Sequence, residues 1–111
     1  MLNRSRMCIV CVKAPVAGYG GYAFEREGRK MLAGVQPMSG DMAQRMYGAE
    51  ASQMRRLLCA PGAGLREGDG VCVDVLPDAE PDFRVVYAPL WRNHVDAHLR
   101  LIPEQERGRD E

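Results

Sequence analysis

The sequence of 111 residues lacks any long apolar run. No stretch approaches the ~18–20 consecutive apolar residues that a membrane-spanning helix needs, which excludes an integral membrane protein of that kind. The basic opening segment is followed by an apolar stretch, residues 7–12, that ends at Lys13 and is too short for the core of a secretory signal. We therefore expect synthesis in a reducing cytoplasm.

Net charge is also absent, because 15 Lys and Arg residues balance 15 Asp and Glu residues. A neutral chain is poorly suited to coating nucleic acid by bulk attraction. The charges are unevenly distributed: residues 1–66 carry ten basic and four acidic side chains, and residues 67–111 carry five and eleven. Either the two halves interleave in the fold, or they form oppositely charged surfaces through which copies of the chain pack head to tail.

Histidine is scarce, with only His94 and His98. Both would lie on the polar face of one strand beside Asp96, but two histidines without a nearby third ligand make a poor metal site. We therefore expect them on a solvated outer face. The acidic turn at residues 77–82 lacks the glycine and terminal glutamate of an EF-hand loop. With no nucleophilic triad or phosphate loop, the sequence predicts a protein that is not an enzyme and uses no metal or cofactor.

The four cysteines do not have the pattern of a zinc site. Cys8 and Cys11 have Cys-x-x-Cys spacing, but they lie in an apolar segment typical of a β-strand. Residues three apart on a strand point to opposite faces and cannot bind one ion. Cys59 and Cys72 are single and also strand-like, so we expect four reduced, mostly buried thiols.

Apolar periodicity predicts six strands and one short helix. The strands are predicted over residues 7–14, 29–38, 52–60, 71–75, 83–91 and 94–101, and the helix over residues 41–46. The third strand has an alternative as an extension of the helix, since Met, Arg and Leu favour helix. Ser39 or Asp41 is expected to cap the helix, and Tyr47-Gly48 to end it.

These elements predict a mainly β fold in one domain spanning residues 1–111. The expected architecture is a small antiparallel β-barrel of about six strands, with a short helix and a long loop between the first two strands. Residues 1–6 and 103–111 are expected to be flexible tails.

The long loop covers residues 15–28, where glycine and proline are too dense for a helix or a central strand. Loops of this length in compact domains are usually functional or disordered. A hairpin loop of fourteen residues reaches at most about 23 Å, at ~3.3 Å per residue out and back. That reach is comparable with the width of a DNA duplex.

Several short phrases follow one another in a distinctive order. Gly-Val-Gln-Pro-Met-Ser-Gly at residues 34–40 is followed by Ala-Gln-Arg-Met-Tyr-Gly at residues 43–48. Next come a basic strand at residues 53–59, Leu-Arg-Glu-Gly-Asp at 65–69, Tyr-Ala-Pro-Leu-Trp at 87–91 and His-Val-Asp-Ala-His-Leu at 94–99. Their order and spacing over residues 7–102 resemble the small head-closure proteins of long-tailed phages, also called stoppers or head-tail connectors.

The resemblance implies a β-barrel protein of the virion neck, made in the cytoplasm of the bacterial host. Such proteins form a homo-oligomeric ring below the portal and adaptor of the DNA-filled head. The ring closes the channel after packaging and offers a docking surface to the tail proteins. Its expected contact with the packaged double-stranded DNA is steric, and no membrane is involved.

The resemblance also implies that the loop at residues 15–28 projects into the channel as a gate. The residues assigned to the gate are Pro15, Gly18, Tyr19, Gly20, Gly21, Tyr22, Phe24, Arg26 and Arg29. Because residues 18–22 are uncharged, any contact with DNA there would be steric or through tyrosine. Glycine allows such a tip to change conformation at low steric cost.

A second set of residues is assigned to contacts between subunits or neighbouring rings. These residues are Gln36, Pro37, Ser39, Met42, Met46, Tyr47 and Trp91. Other interpretations stay open: the phrase at residues 36–40 also ends a strand and caps a helix. Met42, Met46 and Met54 also suit a core, and Trp91 is either a core residue or an interface anchor.

Two alternative functions remain. In the first, the chain is an SH3-like or OB-like binding module in which Tyr19, Tyr22 and Phe24 stack on single-stranded nucleic acid or bind a peptide. In the second, it is a tail-side subunit of the same phage neck, such as a tail terminator.

Overall fold

The structure, a computed structural model, describes residues 6–16, 23–38, 40–89 and 93–104. Six antiparallel strands close into a barrel. The strands are β1 (Arg6–Lys13), β2 (Arg29–Pro37), β3 (Met54–Cys59), β4 (Gly70–Cys72), β5 (Phe83–Tyr87) and β6 (Val95–Leu101). Their order around the barrel is β1-β2-β3-β6-β5-β4, and β4 pairs with β1 to close it. The predicted mainly β fold, a six-strand antiparallel barrel with a short helix, is confirmed.

Alternate side chains of the strands fill the barrel interior. On β6, Val95, Ala97 and Leu99 are buried, as the period-2 pattern predicts. Leu57 of β3 lies opposite Ala97 and is 0% exposed. The interior is therefore an apolar core that holds both halves of the sequence together.

The helix α1 (Asp41–Tyr47) follows β2 and has the predicted position. Its first turn begins after Gly40, whose φ of 95° suits glycine, and no side chain caps it. Asp41 is the first helical residue, so the predicted Asp41 cap is wrong; Ser39 lies outside the described residues. Gly48, with φ of 59°, ends the helix as expected. Within the described ranges no helix is long and apolar enough to cross a membrane.

The predicted strand at residues 71–75 is wrong at its end, because β4 stops at Cys72. The Asp82 carboxylate accepts hydrogen bonds from the backbone N–H groups of Val73 at 2.8 Å and Asp74 at 3.0 Å. These groups point to a side chain instead of a neighbouring strand. The alternating valines of this segment therefore continue into a loop.

Two other strand boundaries differ from the prediction. The strand predicted over residues 83–91 ends at Tyr87, after a register shift between Val85 and Tyr87. The third strand begins at Met54, because a 3-10 turn over Gly48–Gln53 precedes it. A second short 3-10 turn, Pro61–Ala63, connects β3 towards β4.

The four cysteines are free thiols, of which Cys11, Cys59 and Cys72 are buried. Cys8 packs against the barrel core and Cys11 lies on the other face of β1, as their spacing predicts. Burial raises the pKa of the Cys72 thiol to about 11, and it also raises that of Cys59. Neither thiol forms the reactive thiolate at neutral pH.

Three ion pairs among the described residues each join a residue of the first half of the chain to one of the second half. They are Arg55–Asp74 at 3.1 Å, Arg56–Asp96 at 2.7 Å and Arg100–Glu50 at 2.9 Å. The first half supplies the contiguous strands β1, β2 and β3, and the second half supplies β6, β5 and β4. The opposite charges of the two halves are thus partly paired within one chain.

The ends of the long loop form an extension of the β1–β2 hairpin. Val16 N–H donates to the Ala23 carbonyl at 3.0 Å, and Glu25 N–H donates to the Ala14 carbonyl at 2.9 Å. Pro15 and Phe24 form an isolated bridge between them. Residues 17–22 lie outside the described part of the chain.

Replacing Gly28 by alanine is expected to lower the free energy of unfolding by about 2 kcal/mol, because β1 leaves no room for a side chain there. An added Cβ would lie 2.4 Å from the Val12 carbonyl oxygen, 2.7 Å from Lys13 Cγ and 2.9 Å from Cys11 Sγ. Denaturant unfolding measures the change. The control is Gly62→Ala, whose Cβ would meet nothing within 4 Å and should change stability by less than about 0.5 kcal/mol. Equal effects at both positions would contradict this account.

Candidate functional site

A groove of about 510 Å³ lies outside the barrel, between α1 and residues of the four strands β2, β3, β5 and β6. We call it the methionine groove. Its lining residues are Gln36, Pro37, Met38, Met42, Ala43, Met46, Arg56, Tyr87, Pro89, Asp96 and His98. Its volume falls in the range of about 300–1,000 Å³ that is typical of binding pockets.

Two methionines of α1 form one wall of the groove. Ala43 of the helix is buried, whereas Met42 and Met46 are 69% and 47% exposed. The two methionines are four residues apart and therefore lie on the same face of the helix. A core position was an open interpretation for Met42, Met46 and Met54. Of these three, only Met54 is buried, at 2% exposed. Flexible thioether side chains on a surface adapt well to a partner.

An ion pair with two hydrogen bonds forms part of the groove floor. Arg56 donates to both carboxylate oxygens of Asp96, from Nε at 2.9 Å and from its terminal nitrogen at 2.7 Å. The hydrogen bond from Arg56 lowers the pKa of the Asp96 carboxyl and raises that of the guanidinium. This two-point geometry fixes both side chains and keeps this part of the floor electrically neutral.

His98 lies beside this ion pair and is held by two tyrosines. Its Nδ1 is hydrogen bonded to the Tyr47 hydroxyl at 2.7 Å, and the Tyr87 ring lies 4.9 Å from the imidazole, centroid to centroid. The expected solvated position is therefore wrong for His98, which is half-buried, although His94 is exposed. Burial lowers the pKa of His98 and raises that of Tyr47.

The free energy of unfolding is expected to fall as the pH drops through 6.5, the ordinary pKa of histidine. Burial places the pKa of His98 lower in the folded chain, so the unfolded chain binds a proton first over this range. The decrease levels off once the folded form is also protonated. Asp96 titrates only at lower pH, because its pKa lies below its ordinary value of 3.8.

Unfolding midpoints between pH 5 and pH 7.5 measure this dependence. His98→Asn should lose it, because asparagine places an acceptor near the position of Nδ1 but takes up no proton. The matched control is His94→Asn, at the exposed histidine just before β6, which should keep it. If His94→Asn removes the pH dependence and His98→Asn retains it, burial of His98 is not its cause.

The structure brings most of the predicted interface residues together. Gln36, Pro37, Met42 and Met46 line the groove, and Tyr47 contacts its floor through His98. Ser39 and Trp91 lie outside the described residues. The prediction missed seven lining residues, although all seven occur in segments that carry the family resemblance: Met38, Ala43, Arg56, Tyr87, Pro89, Asp96 and His98.

The residues predicted for the gate separate into two groups. Phe24 lies against the barrel, since a Cβ on Gly70 would be 2.8 Å from the Phe24 ring and 2.7 Å from Pro81. Arg26 is exposed. Arg29 is not part of the loop: it begins β2, and its guanidinium donates to the carbonyls of Ala63 at 3.0 Å and Gly64 at 2.9 Å. Gly18, Tyr19, Gly20, Gly21 and Tyr22 lie outside the described residues.

A second apolar surface lies on the outer face of the first hairpin. Ile9 of β1 pairs directly with Leu32 of β2, and Met7 pairs with Gly34 beside them. Met7, Ile9 and Leu32 are 60%, 61% and 57% exposed. Single exposed apolar residues are ordinary, but adjacent ones mark surfaces that contact other molecules. We call this set the hairpin face.

Comparison with known proteins identifies a shared fold. No protein-family model and no curated protein matches the chain. The solution structure of protein SF1141 from Shigella flexneri 2a, a structural genomics target, is similar with a TM-score of 0.60. The two chains are 17% identical, and the alignment covers 93% of this chain and 99% of that one. At this identity the likeness shows the fold alone, over almost the full length of both proteins.

Proposed function

We propose that this protein is a structural component of a phage neck. It forms a ring below the portal and adaptor, closes the DNA channel after packaging, and provides the surface to which the tail attaches. The observation that carries the proposal is the methionine groove, because the phrases that resemble head-closure proteins converge there. Residues from positions 36–40, 43–48, 87–91 and 94–99 supply most of its lining.

The distribution of exposed apolar side chains supports assembly with other subunits. The hairpin face lies on β1 and β2, whereas the floor of the methionine groove lies on β3 and β6. A ring of identical subunits needs two different contact surfaces on each subunit, because each one contacts a neighbour on both sides. Exposed apolar surfaces in separate places meet that requirement.

Closure of the channel is assigned to the loop at residues 15–28. The backbone hydrogen bonds Val16–Ala23 and Glu25–Ala14 hold its two ends side by side on the barrel. The contact of Phe24 with Gly70 fixes this base further. A gate that blocks DNA sterically needs such a fixed base but needs no positive charge, in agreement with the zero net charge of the chain.

Electron microscopy tests this function directly. Rings of the purified protein are expected at micromolar concentration, and density for the same ring is expected on the axis of the neck in purified particles. Sedimentation velocity on the purified protein gives the number of subunits. A chain that stays monomeric at all concentrations and is absent from purified particles would rule the proposal out.

The binding-module alternative has less support, because Phe24, one of its three stacking residues, contacts the barrel. Titration with single-stranded oligonucleotides distinguishes the two functions. Micromolar binding that weakens steeply with salt would favour the alternative. The neck function predicts no saturable binding under the same conditions.

A further inference from the structure

The segment after β4, residues 73–82, is held in place by two buried charged side chains. Asp82 is 3% exposed and accepts the backbone N–H groups of Val73 and Asp74. Lys13 is 3% exposed and donates to the Ala79 carbonyl at 2.7 Å. Buried charges are tolerated only where they are hydrogen bonded, so both side chains hold this segment, which we call the acidic loop, in one conformation.

The acidic loop presents a large apolar side chain to the outside. Leu76 is 71% exposed, the highest value among the large apolar residues of the described part of the chain. A turn closes behind it, with Ala79 N–H donating to the Leu76 carbonyl at 3.0 Å. Asp78 and Glu80, both exposed, follow it closely in the chain. The result is a fixed apolar projection with an acidic border.

Leu76 does not line the methionine groove of its own chain. The acidic loop contacts Lys13 of β1 and Cys72 of β4 through the Ala79 carbonyl, and its Asp74 pairs with Arg55 of β3 at 3.1 Å. The groove is centred where β3 meets β6. Leu76 of the same chain therefore leaves the groove open to a partner.

We infer that Leu76 of one subunit inserts into the methionine groove of the next subunit. The inference deepens the proposed ring function and rests on it. The groove is larger than one leucine side chain requires, so Pro77 also fits within it. The flexible Met42 and Met46 side chains can close around both.

Charge complementarity selects a second copy of this chain as the occupant. Asp78 and Glu80 border Leu76, whereas Arg45 is exposed on α1 between the two methionines. The acidic border of one subunit therefore meets Arg45 at the groove of its neighbour. Such exposed pairs weaken as salt increases.

This contact is heterologous, because the two partners use different surfaces. Each subunit donates one Leu76 and receives another, so every subunit in the assembly is equivalent. A contact of this type produces a closed ring when the rotation between neighbours closes, and a filament when it does not. A ring is the form that the channel function requires.

The first test replaces Leu76 by aspartate and measures assembly by sedimentation velocity. The expected result is a folded monomer, with the concentration for half-assembly raised by about 30-fold or more, as for loss of a hot-spot side chain. The control is Ala60→Asp, an exposed position before the 3-10 turn Pro61–Ala63 that belongs to neither apolar surface and should leave the ring intact. Circular dichroism verifies that both variants fold.

The second test mixes two assembly-defective variants. Leu76→Asp retains a groove, and Met46→Asp retains the projecting leucine, so their equimolar mixture should form 1:1 dimers by native mass spectrometry but no ring. A Leu76→Asp variant that still forms rings, or rings lost equally on Ala60→Asp, would overturn this interface and leave the neck function standing. A wild-type chain that never assembles would overturn both.

Discussion

Replacing Leu57 by alanine is expected to lower the free energy of unfolding by about 3–5 kcal/mol. Leu57 is 0% exposed and lies in the middle of the barrel, with Val35 on one neighbouring strand and Ala97 on the other. Truncation removes the transfer free energy of the side chain and leaves a cavity, because a closed barrel has no free edge that can move inward. The loss is a large fraction of the total stability of a small domain.

Leu58 provides a matched control on the same strand. It has the same side chain and the adjacent position, but it points outwards and is half-buried. Leu58→Ala is expected to cost less than about 1.5 kcal/mol. Denaturant unfolding at equal protein concentration compares the variants, and an unchanged m-value shows that the cooperativity is retained. A larger loss at Leu58 than at Leu57 would mean that the interior is on the other face of β3.

The barrel interior was predictable because burial imposes a period of two on each strand. Val95, Ala97 and Leu99 alternate with polar residues, and the structure buries them as expected. The positions of the loops were predictable for a related reason, since Gly48 and the Pro61-Gly62 turn interrupt that period. These signals are local and need no knowledge of the remainder of the chain.

The end of β4 could not be predicted from local signals. Residues 71–75 alternate like a strand, but the Asp82 carboxylate withdraws two of their N–H groups from the sheet. That interaction depends on Asp82, which lies eight residues after Asp74. In the sequence Asp82 belongs to a segment, residues 77–82, that predicts only an acidic turn. A side chain that competes for backbone groups changes a strand boundary without changing the apolar pattern.

The candidate site was predictable only on the side that α1 and the end of β2 contribute. Met42 and Met46 share a helix face by their spacing, and that spacing is visible in the sequence. The floor combines Tyr47 with His98, which lie 51 residues apart, and Arg56 with Asp96, which lie 40 residues apart. Such pairs depend on the strand order of the closed barrel, in which β3 lies beside β6.

A chain without net charge can still carry the local charge that the proposed assembly requires. The three ion pairs use Asp74 of the acidic loop, Asp96 of β6 and Glu50 of the 3-10 turn after α1. The exposed Asp78, Glu80 and Arg45 do not belong to these pairs, so local charge remains at the two proposed contact surfaces although the total is zero. Orientation between subunits depends on local charge, whereas attraction to bulk DNA depends on the total.

Replacing Asp82 by alanine is expected to lower the free energy of unfolding by about 3–5 kcal/mol and to weaken assembly. The substitution removes two hydrogen bonds to a charged acceptor, each worth about 1.5–3 kcal/mol. It also leaves the N–H groups of Val73 and Asp74 without their acceptor. Without this anchor the acidic loop loses its fixed conformation, so Leu76 has to be ordered again on binding, at an entropic cost.

Two measurements separate these effects. Denaturant unfolding gives the stability, and sedimentation velocity on the folded variant at low temperature gives the assembly. Asp78→Ala is the matched control, because Asp78 is an exposed carboxylate of the same loop; it should change stability by less than about 0.5 kcal/mol. It should weaken assembly only at low salt, where the acidic border contributes. If Asp82→Ala and Asp78→Ala unfold equally easily, the Asp82 carboxylate does not organise the loop, and Leu76 is not presented by a preformed structure.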